Sequence, residues 1–333
     1  MTWGDRACAI ASGTGVDHGM IKRWTDVRLS RRSLLAGMAG VALTSIVAAC
    51  GEPSGTSSTS DPRVRIVATE SFWGSIAAQL GGQYVVVTSL ITNPDTDPHD
   101  FEPKPSDART VADARYVILN GAGYDPWMQR LIDANPSDGR KILNVGDLVG
   151  KKSGDNPHLW YDPAFVDQVV DRVAHDLTTL DAAQANAIAQ RQQQFSQQDL
   201  KPYHDLIGQI KANYGGTPIG STESIFVYMA KALGLDLISP AGFMDAISEG
   251  NDVAAGDKAT FDRQITEKQI AVLVYNTQNA TPDTEAIKQK ATANGIPVVG
   301  ITETLNPADA TFQAWQVQQL GDLKRALATG TGR

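Results

Sequence analysis

The chain contains ATESFWGSIAAQLG at residues 68–81 and a near copy, STESIFVYMAKALG, at residues 221–234. The two stretches match in register at Thr, Glu, Ser, Ala, Leu and Gly. A short apolar segment precedes each copy and apolar residues at helical spacing follow, which predicts a strand turning into a helix. A repeat of this kind indicates that the chain builds the same unit twice. We therefore expect two similar lobes with a cleft between them.

Strand-like and helix-like segments alternate on both sides of the repeated unit. Strands are predicted at 64–68, 84–91, 116–120 and 141–145, and again at 218–220, 235–238, 271–275 and 298–301. Alternation at this spacing favours an α/β fold with mainly parallel sheets in each lobe. The polar, glycine-containing segment 242–260 is predicted to be a loop at the rim of the cleft.

A long segment rich in Ala and Gln, residues 181–213, separates the two lobes. It is predicted to be a stiff helix that links them, with Pro202 kinking or breaking it near Leu200. The predicted organisation is an export signal at 1–49, a flexible tether at 50–61, an N-terminal lobe at 62–180, the linking spine helix at 181–213 and a C-terminal lobe at 214–333.

The first 49 residues have the composition of an export signal. An arginine pair, Arg31 and Arg32, precedes a short apolar run that ends in small residues before Cys50. The run is too short for a comfortable transmembrane helix. The cysteine after small residues resembles a bacterial lipobox, which implies cleavage before Cys50 and lipidation of its sulfur. The export route, Sec or Tat, and the start codon, Met1 or Met20, remain open.

Charge and cysteine content restrict the function further. The formal charge is −8, and removing the six basic and three acidic residues of the signal takes it to −11. An acidic surface argues against nucleic acid as a partner and suits a cationic ligand. Of the two cysteines, Cys8 leaves with the signal and Cys50 would carry lipid. The exported protein then has no disulfide and depends on its apolar core for stability.

Two loops share a Pro-His pattern: DPHDFEP at 97–103 and NPHLWYDP at 156–163. A proline restricts the residue before it to extended backbone, so His99 and His158 each lie on a stiff loop with aromatic residues close behind. This arrangement predicts two preorganised metal ligands.

Two glutamates are predicted to point into the same cleft. Glu223 follows the strand at 218–220 and Glu303 follows the strand at 298–301, and ligands of open α/β sheets bind beyond the carboxyl ends of the strands. Two imidazoles and two carboxylates form a set that can hold Zn²⁺ or Mn²⁺. The alternative for each glutamate is a helix N-terminal carboxylate that satisfies backbone N–H groups.

Other polar and aromatic residues have simpler expected roles. His175 and His204 are expected to be solvated. Glu70, the repeat mate of Glu223, is expected to cap a helix or to line the cleft. Asp162 is expected either to orient His158 or to cap the next helix. The two tryptophans nearest the histidine loops, Trp127 and Trp160, are expected to pack in the core.

The four motifs DPHDFEPKPSD (97–107), NGAGYDPW (120–127), NPHLWYDP (156–163) and TES (222–224) together resemble the zinc/manganese solute-binding proteins of ABC transporters. The resemblance covers nearly all of the chain after the signal. It implies two (β/α) lobes, a long rigid helix between them, and a metal buried in the interlobe cleft. By position, His99, His158 and Glu223 correspond to ligands, and Glu303 stands where the family has a carboxylate, usually Asp.

The same resemblance implies a monomeric, lipid-anchored protein on the outer face of the cell membrane that binds Zn²⁺ or Mn²⁺ and delivers it to an ABC permease. Glu223 stands where manganese-type members have glutamate, and the chain lacks the His-rich loop of many zinc-type members, so the metal stays open. An enzyme is not expected. The two alternatives are a zinc-dependent hydrolase with an open coordination site and a metal-binding adhesin.

Overall fold

The structure, a computed structural model, describes residues 61–95 and 97–333. The predicted export signal, Cys50 and the tether up to residue 60 lie outside the described residues. The described residues belong to one compact unit. Within the described part, each helix is either too short or too polar to cross a lipid bilayer.

A four-stranded parallel sheet forms the centre of the first lobe. Its strands are β1 (Val64–Glu70), β2 (Val85–Ile91), β3 (Tyr116–Leu119) and β4 (Lys141–Asn144), in the spatial order β2-β1-β3-β4. The strands are rich in Val and Ile because both faces of a parallel sheet are covered by helices. These helices are α1 (Ser71–Gly81), α2 (Pro105–Ala112), α3 (Pro126–Ala134), α4 (Val145–Leu148) and α5 (Pro163–Leu180).

A helical segment links the lobes. It consists of α6 (Ala185–Gln194), a π-helical turn (Phe195–Asp199) and α7 (Lys201–Tyr214). The wide turn lies where Pro202 was predicted to break the helix, and the Leu200 N–H donates to the Phe195 carbonyl at 2.8 Å. Proline has no N–H to donate and its ring crowds the preceding turn, so the regular hydrogen-bond ladder is interrupted here. The domain boundaries at residues 180 and 213 stay a prediction.

The second lobe repeats the sheet of the first. Its strands are β5 (Pro218–Ser221), β6 (Asp236–Leu237), β7 (Val272–Asn276) and β8 (Val298–Ile301), parallel and in the order β6-β5-β7-β8. The helices are α8 (Val227–Ala232), α9 (Ala241–Ser248), α10 (Ala255–Thr266), α11 (Pro282–Ala293) and α12 (Phe312–Thr331). The first Thr-Glu-Ser lies at the end of β1 and the second lies just after β5, and these two strands occupy the same position in the order of their sheets. The predicted pair of α/β lobes with parallel sheets is confirmed.

The prediction of a loop at 242–260 is wrong, because α9 and α10 occupy most of this segment. Phe243 and Ile247 lie one helical turn apart and are buried with Phe261 and Ile265. The Phe243 and Phe261 rings meet edge to face with centroids 5.0 Å apart. The polar residues that suggested a loop occupy the exposed faces of the two helices, and burial of the apolar stripe stabilises them.

The two lobes are joined by a shared core behind the cleft. Phe72 of α1 stacks on Trp160 at 4.2 Å between ring centroids and on Trp315 of α12 at 6.4 Å. Polar contacts between α1 and the C-terminal segment surround this stack: Ser71 Oγ accepts from Leu305 N, Ser75 Oγ accepts from Phe312 N, and the side chains of Gln79 and Gln313 bond to each other. These contacts hold α1 of the first lobe against the C-terminal segment of the second.

Candidate metal centre

The first lobe supplies the two predicted histidines from loops stiffened by proline. His99 lies in the 3₁₀ turn Pro98–Asp100 after β2, and its backbone N–H donates to Asp97 at 2.9 Å. His158 precedes the 3₁₀ turn Leu159–Tyr161. The His158 side chain is fully buried, with its ring 5.3 Å from that of Trp160, whereas the His99 side chain is 27% exposed. One imidazole therefore forms the floor of the site and the other borders its opening.

The second lobe supplies the two predicted carboxylates from the carboxyl ends of its strands. Glu223 follows β5 and Glu303 follows β8, and their side chains are 1% and 0% exposed. Neither caps a helix through its side chain in the structure. Both turn instead towards the first lobe, as the strand-end rule predicted.

The four predicted side chains converge across the cleft. His99 Nε2 lies 3.4 Å from Glu303 Oε2, and His158 Nε2 lies 3.9 Å from both Glu303 Oε2 and Glu223 Oε1. Ligand atoms of His99, His158 and Glu303 all lie within 4.8 Å of one another. Tetrahedral coordination with bonds of about 2.0 to 2.2 Å places ligand atoms roughly 3.3 to 3.6 Å apart. Small side-chain movements would bring these atoms to the spacing of a metal site.

The buried imidazole of His158 has one nitrogen held and one unpaired. Its Nδ1 lies 2.8 Å from Asn156 Oδ1. Its Nε2 is buried without a hydrogen-bond partner and lies between the two carboxylates. An unpaired nitrogen lone pair next to buried carboxylates fits a divalent cation, since burial of such groups is costly without a partner.

Both carboxylates are held by side-chain donors that the sequence reasoning missed. Asn276 Nδ2 donates to Glu223 Oε1 at 2.8 Å and to Glu303 Oε1 at 2.7 Å. Asn279 Nδ2 donates to Glu223 Oε2 at 3.0 Å, and the Tyr124 hydroxyl donates to Glu303 Oε2 at 2.6 Å. Asn276 ends β7, so the rule that located the glutamates could also have located it.

Burial and charge set the protonation of the metal-free site. Burial holds the pKa of His158 well below its usual range, and the neighbouring His99 lowers it further. Burial raises the pKa of Glu223 well above its usual range, with repulsion from Glu303 as the next cause. Burial also raises the pKa of Glu303 and of the Tyr124 hydroxyl. A cation between these groups would favour the ionised carboxylates and the neutral imidazole.

Tyr124 is presented by a tight turn of unusual backbone. Gly121, Ala122 and Gly123 all have positive φ, at 70°, 53° and 87°. A Cβ at Gly121 would lie 1.9 Å from Asn144 Oδ1, so only glycine fits there. The Asp125 carboxylate accepts the backbone N–H groups of Asn120 and Gly121, both at 2.8 Å. These bonds fix the turn that carries the phenol to Glu303.

Glu70 does not cap α1, so that expectation is wrong. It is the N-cap residue, but its side chain makes no capping hydrogen bond and is fully buried beside the Asp125 carboxyl. Burial raises the pKa of Glu70 well above its usual range, and the Asp125 carboxylate raises it further. The physical reason is the first-lobe turn that holds Asp125, because it places a carboxyl group beside Glu70, and Glu70 lies against that group instead of capping the helix.

The remaining predicted residues have structural roles. Asp162 caps α5, accepting from Ala164 N at 2.9 Å, while Asn156 takes the position beside His158. His175 is exposed, and the partly exposed His204 lies 3.3 Å from Asp167. Trp127 and Trp160 are buried, as expected.

A cavity of about 880 Å³ borders the site. His99, Asn156, Ser224 and Asn279 form its inner wall. Its other ionisable lining residues are acidic: Asp97, Asp155, Asp245 and Glu249. A cleft lined by one sign of charge concentrates ions of the opposite sign, so it would favour entry of a cation.

Comparison with known protein families gives one match over most of the chain. The model of the ZnuA family, described as "Zinc-uptake complex component A periplasmic", matches residues 66–326. The chain is 29% identical over 202 residues to the manganese-binding lipoprotein MntA of Halalkalibacterium halodurans, covering 58% of this chain and 65% of MntA. It is 24% identical to the manganese ABC transporter substrate-binding lipoprotein PsaA of Streptococcus pneumoniae, covering 53% of this chain and 62% of PsaA. The aligned part is thus less than two thirds of each of these two relatives.

Solved structures show the same fold. A cadmium-bound periplasmic metal-binding protein from Candidatus Liberibacter asiaticus superposes with a TM-score of 0.66 at 17% identity, covering 80% of this chain and all of that one. A crystal structure of ZnuA gives a TM-score of 0.62 at 20% identity, covering 80% of this chain and 99% of that one. At these identities the likeness establishes the architecture of two α/β lobes.

Proposed function

Because the chain belongs to the ZnuA family, whose model spans residues 66–326, we propose that it is a solute-binding protein that captures a divalent transition-metal ion outside the cytoplasm. It would deliver the ion to an ABC permease for import. The observation that carries the proposal is that His99, His158 and Glu303, from opposite lobes, present ligand atoms within 4.8 Å of one another, with Glu223 Oε1 3.9 Å from His158 Nε2.

The proposed ligands are His99 and His158 from the first lobe and Glu223 and Glu303 from the second. Four protein ligands without thiolate suit Zn²⁺, which favours tetrahedral N/O sites, and also Mn²⁺, which accepts additional carboxylate oxygens. We propose Zn²⁺ or Mn²⁺ as the cargo. The family is described by zinc uptake, whereas MntA and PsaA are named for manganese.

We also propose that the protein is a monomer attached to the outer face of the cell membrane through lipid on Cys50. The relatives MntA and PsaA are named as lipoproteins. The support within this chain is the apolar run that ends in small residues before Cys50. The test is the Cys50→Ala variant. It should no longer be found in the membrane fraction, and its mass should lack that of the lipid.

The site favours binding over catalysis. A zinc hydrolase needs an open coordination position and a carboxylate free to act as a base. Glu223 and Glu303 both lie 3.9 Å from His158 Nε2, so each is placed to bind the same ion as the imidazole, and neither would be left over as a separate base. A growth experiment distinguishes an adhesin from an import protein. A deletion strain should grow poorly on metal-depleted medium if the protein serves import.

The test of the proposal is thermal unfolding of chelator-stripped protein, alone and with excess Zn²⁺ or Mn²⁺. Metal at about 1,000 times its Kd stabilises the folded state by about 4 kcal/mol, which for a protein of this size raises the melting temperature by roughly 8 to 16 °C. Glu223→Ala should abolish most of the gain. The matched control is Glu249→Ala at the cavity rim, which removes an acidic side chain but no proposed ligand and should retain the gain. If neither metal raises the wild-type melting temperature, the cleft is not a metal site.

A further inference from the structure

Asn156 connects the buried histidine of the first lobe to the second lobe through its side chain. Its Oδ1 lies 2.8 Å from His158 Nδ1, and its Nδ2 donates to the Ser224 carbonyl at 2.7 Å. Its own backbone carbonyl accepts from the Tyr228 hydroxyl at 2.9 Å. Ser224 and Tyr228 belong to the second lobe, so one carboxamide joins the imidazole to the opposite side of the cleft.

These contacts determine which nitrogen of His158 carries the proton. A backbone carbonyl can only accept, so the Asn156 NH₂ group must face Ser224 and its oxygen must face the imidazole. The oxygen can only accept as well, so the proton of the neutral ring lies on Nδ1. Nε2 then carries the lone pair, and this is the atom that lies 3.9 Å from Glu223 and from Glu303. Metal binding requires that lone pair.

A second bond within the first lobe supports the same orientation. The His158 backbone N–H donates to Asn156 Oδ1 at 3.0 Å. The carboxamide is therefore held by one local bond and one bond across the cleft. Of these two hydrogen bonds, the one to Ser224 depends on contact between the lobes.

The second-lobe end of this connection is tied to the cavity rim. The Ser224 backbone N–H donates to Ser248 Oγ at 3.1 Å, and the two serine hydroxyls lie 2.8 Å apart. Ser248 is the last residue of α9 and lines the cavity beside the site. A displacement of the end of α9 would therefore reach Ser224, then Asn156, and then the imidazole.

We propose that Asn156 is a positioning residue that makes the metal-accepting state of His158 depend on contact between the lobes. The proposal rests on the proposed metal-binding function and specifies how that site is held and released. With the lobes in contact, the carboxamide holds Nδ1–H and leaves Nε2 open to the ion. When the rim at Ser248 moves away, the carboxamide is free to rotate. In a fraction of the molecules the single proton of the neutral ring is then on Nε2 instead of Nδ1. Loss of one ligand then speeds release.

The test reads the tautomer of His158 by ¹⁵N NMR in metal-free protein and the dissociation of Zn²⁺ into a chelator by stopped flow. Wild type should show His158 as a single Nδ1–H tautomer. Asn156→Ala should give a tautomer mixture and dissociate Zn²⁺ about fivefold faster or more, the equivalent of about one net hydrogen bond. Asn156→Asp keeps the acceptor for Nδ1–H but loses the donor to Ser224, so it should keep the tautomer.

Two second-lobe variants test the coupling across the cleft, since neither touches the imidazole. Ser248→Ala and Tyr228→Phe should each shift His158 towards the mixture. The matched control is Gln313→Ala, which removes the interlobe bonds to Gln79, a residue with no bond to Asn156 or Ser224, and should leave the tautomer unchanged. Equal shifts in all three variants would indicate general loosening and would overturn the proposal.

A single Nδ1–H tautomer in Asn156→Ala would overturn it as well. Failure of wild type to bind Zn²⁺ or Mn²⁺ is a separate outcome that refutes the proposed function, because the tautomer measurement is made without metal. In that case the variants still decide whether lobe contact controls His158.

Discussion

Replacing Asn276 by leucine should destabilise the metal-free protein in a pH-dependent manner. The Asn276 side chain donates to one oxygen of Glu223 and one oxygen of Glu303, at 2.8 and 2.7 Å, and all three side chains are buried. Leucine has nearly the same shape but no donor. The substitution would leave two buried carboxylates without the group that bridges them.

The size of the effect follows from the charge of the two acceptors. Hydrogen bonds to charged groups contribute about 1.5 to 3 kcal/mol each, so two of them give about 3 to 6 kcal/mol when both carboxyls are ionised. The pKa values of Glu223 and Glu303 are raised, so both carboxyls take up protons as the pH falls. Two neutral hydrogen bonds contribute about 2 kcal/mol. The loss should therefore be larger at pH 8 than at pH 5 and shrink towards about 2 kcal/mol as both carboxyls become protonated.

Urea unfolding of chelator-stripped protein at pH 8 and pH 5 measures this difference. A loss of about 3 kcal/mol corresponds to roughly 6 to 12 °C in melting temperature. The matched control is Asn213→Leu, an exposed asparagine whose replacement should change stability by less than about 0.5 kcal/mol. A loss in Asn276→Leu below about 1 kcal/mol at pH 8, or the same loss at both pH values, would refute the reasoning.

Three further predictions concern protonation and capping. In metal-free protein the raised pKa values of Glu223 and Glu303 stabilise the fold below pH 4.5, and this contribution is lost as the pH rises through the folded-state pKa values. Metal binding should therefore release protons, which calorimetry in buffers of different ionisation enthalpy measures. The metal should also stabilise the protein more at pH 7.5 than at pH 5. Asp162→Ala should cost about 1 kcal/mol in urea unfolding through loss of the α5 cap, with unchanged Zn²⁺ affinity by chelator competition. The free energy of unfolding of Glu70→Gln, measured in urea, should rise relative to that of wild type as the pH goes from 5 to 8. The buried carboxyl of Glu70 has a raised pKa beside Asp125 and loses stability when it ionises, whereas the amide has no proton to lose.

The architecture and the four candidate ligands could be predicted from the sequence because they follow from local patterns. The repeated Thr-Glu-Ser unit predicted two copies of one strand-to-helix turn, and both occur at the same place in matching sheets. Parallel strands present their carboxyl ends at one edge, so Glu223 and Glu303 had to lie together once β5 and β8 were assigned. His99 and His158 were located by another local pattern, the Pro-His pair in each loop.

The groups that hold the ligands could not be predicted, because their partners come from distant parts of the chain. Asn156 contacts Ser224, and Tyr124 contacts Glu303; Asn276 is the exception, because it ends β7 and the strand-end rule applies to it. Glu70 shares its motif with Glu223 but lies beside Asp125, whose position depends on the tight turn before it. Such pairings depend on tertiary packing rather than on any local pattern.

The π-helical turn at Phe195–Asp199 keeps the linking segment in rotational phase. Four of its buried residues, Ile188, Phe195, Tyr203 and Ile210, are spaced by seven, eight and seven positions, whereas an α-helix of about 3.6 residues per turn returns to the same face after seven. The eight-residue step contains the wide turn, which absorbs the extra residue. Deleting one exposed residue from this turn would leave the buried stripe aligned. The same deletion elsewhere in α6 or α7 would rotate one half of the segment by about 100° against the other, so the molecule tolerates a change in length at one place along its longest helical segment.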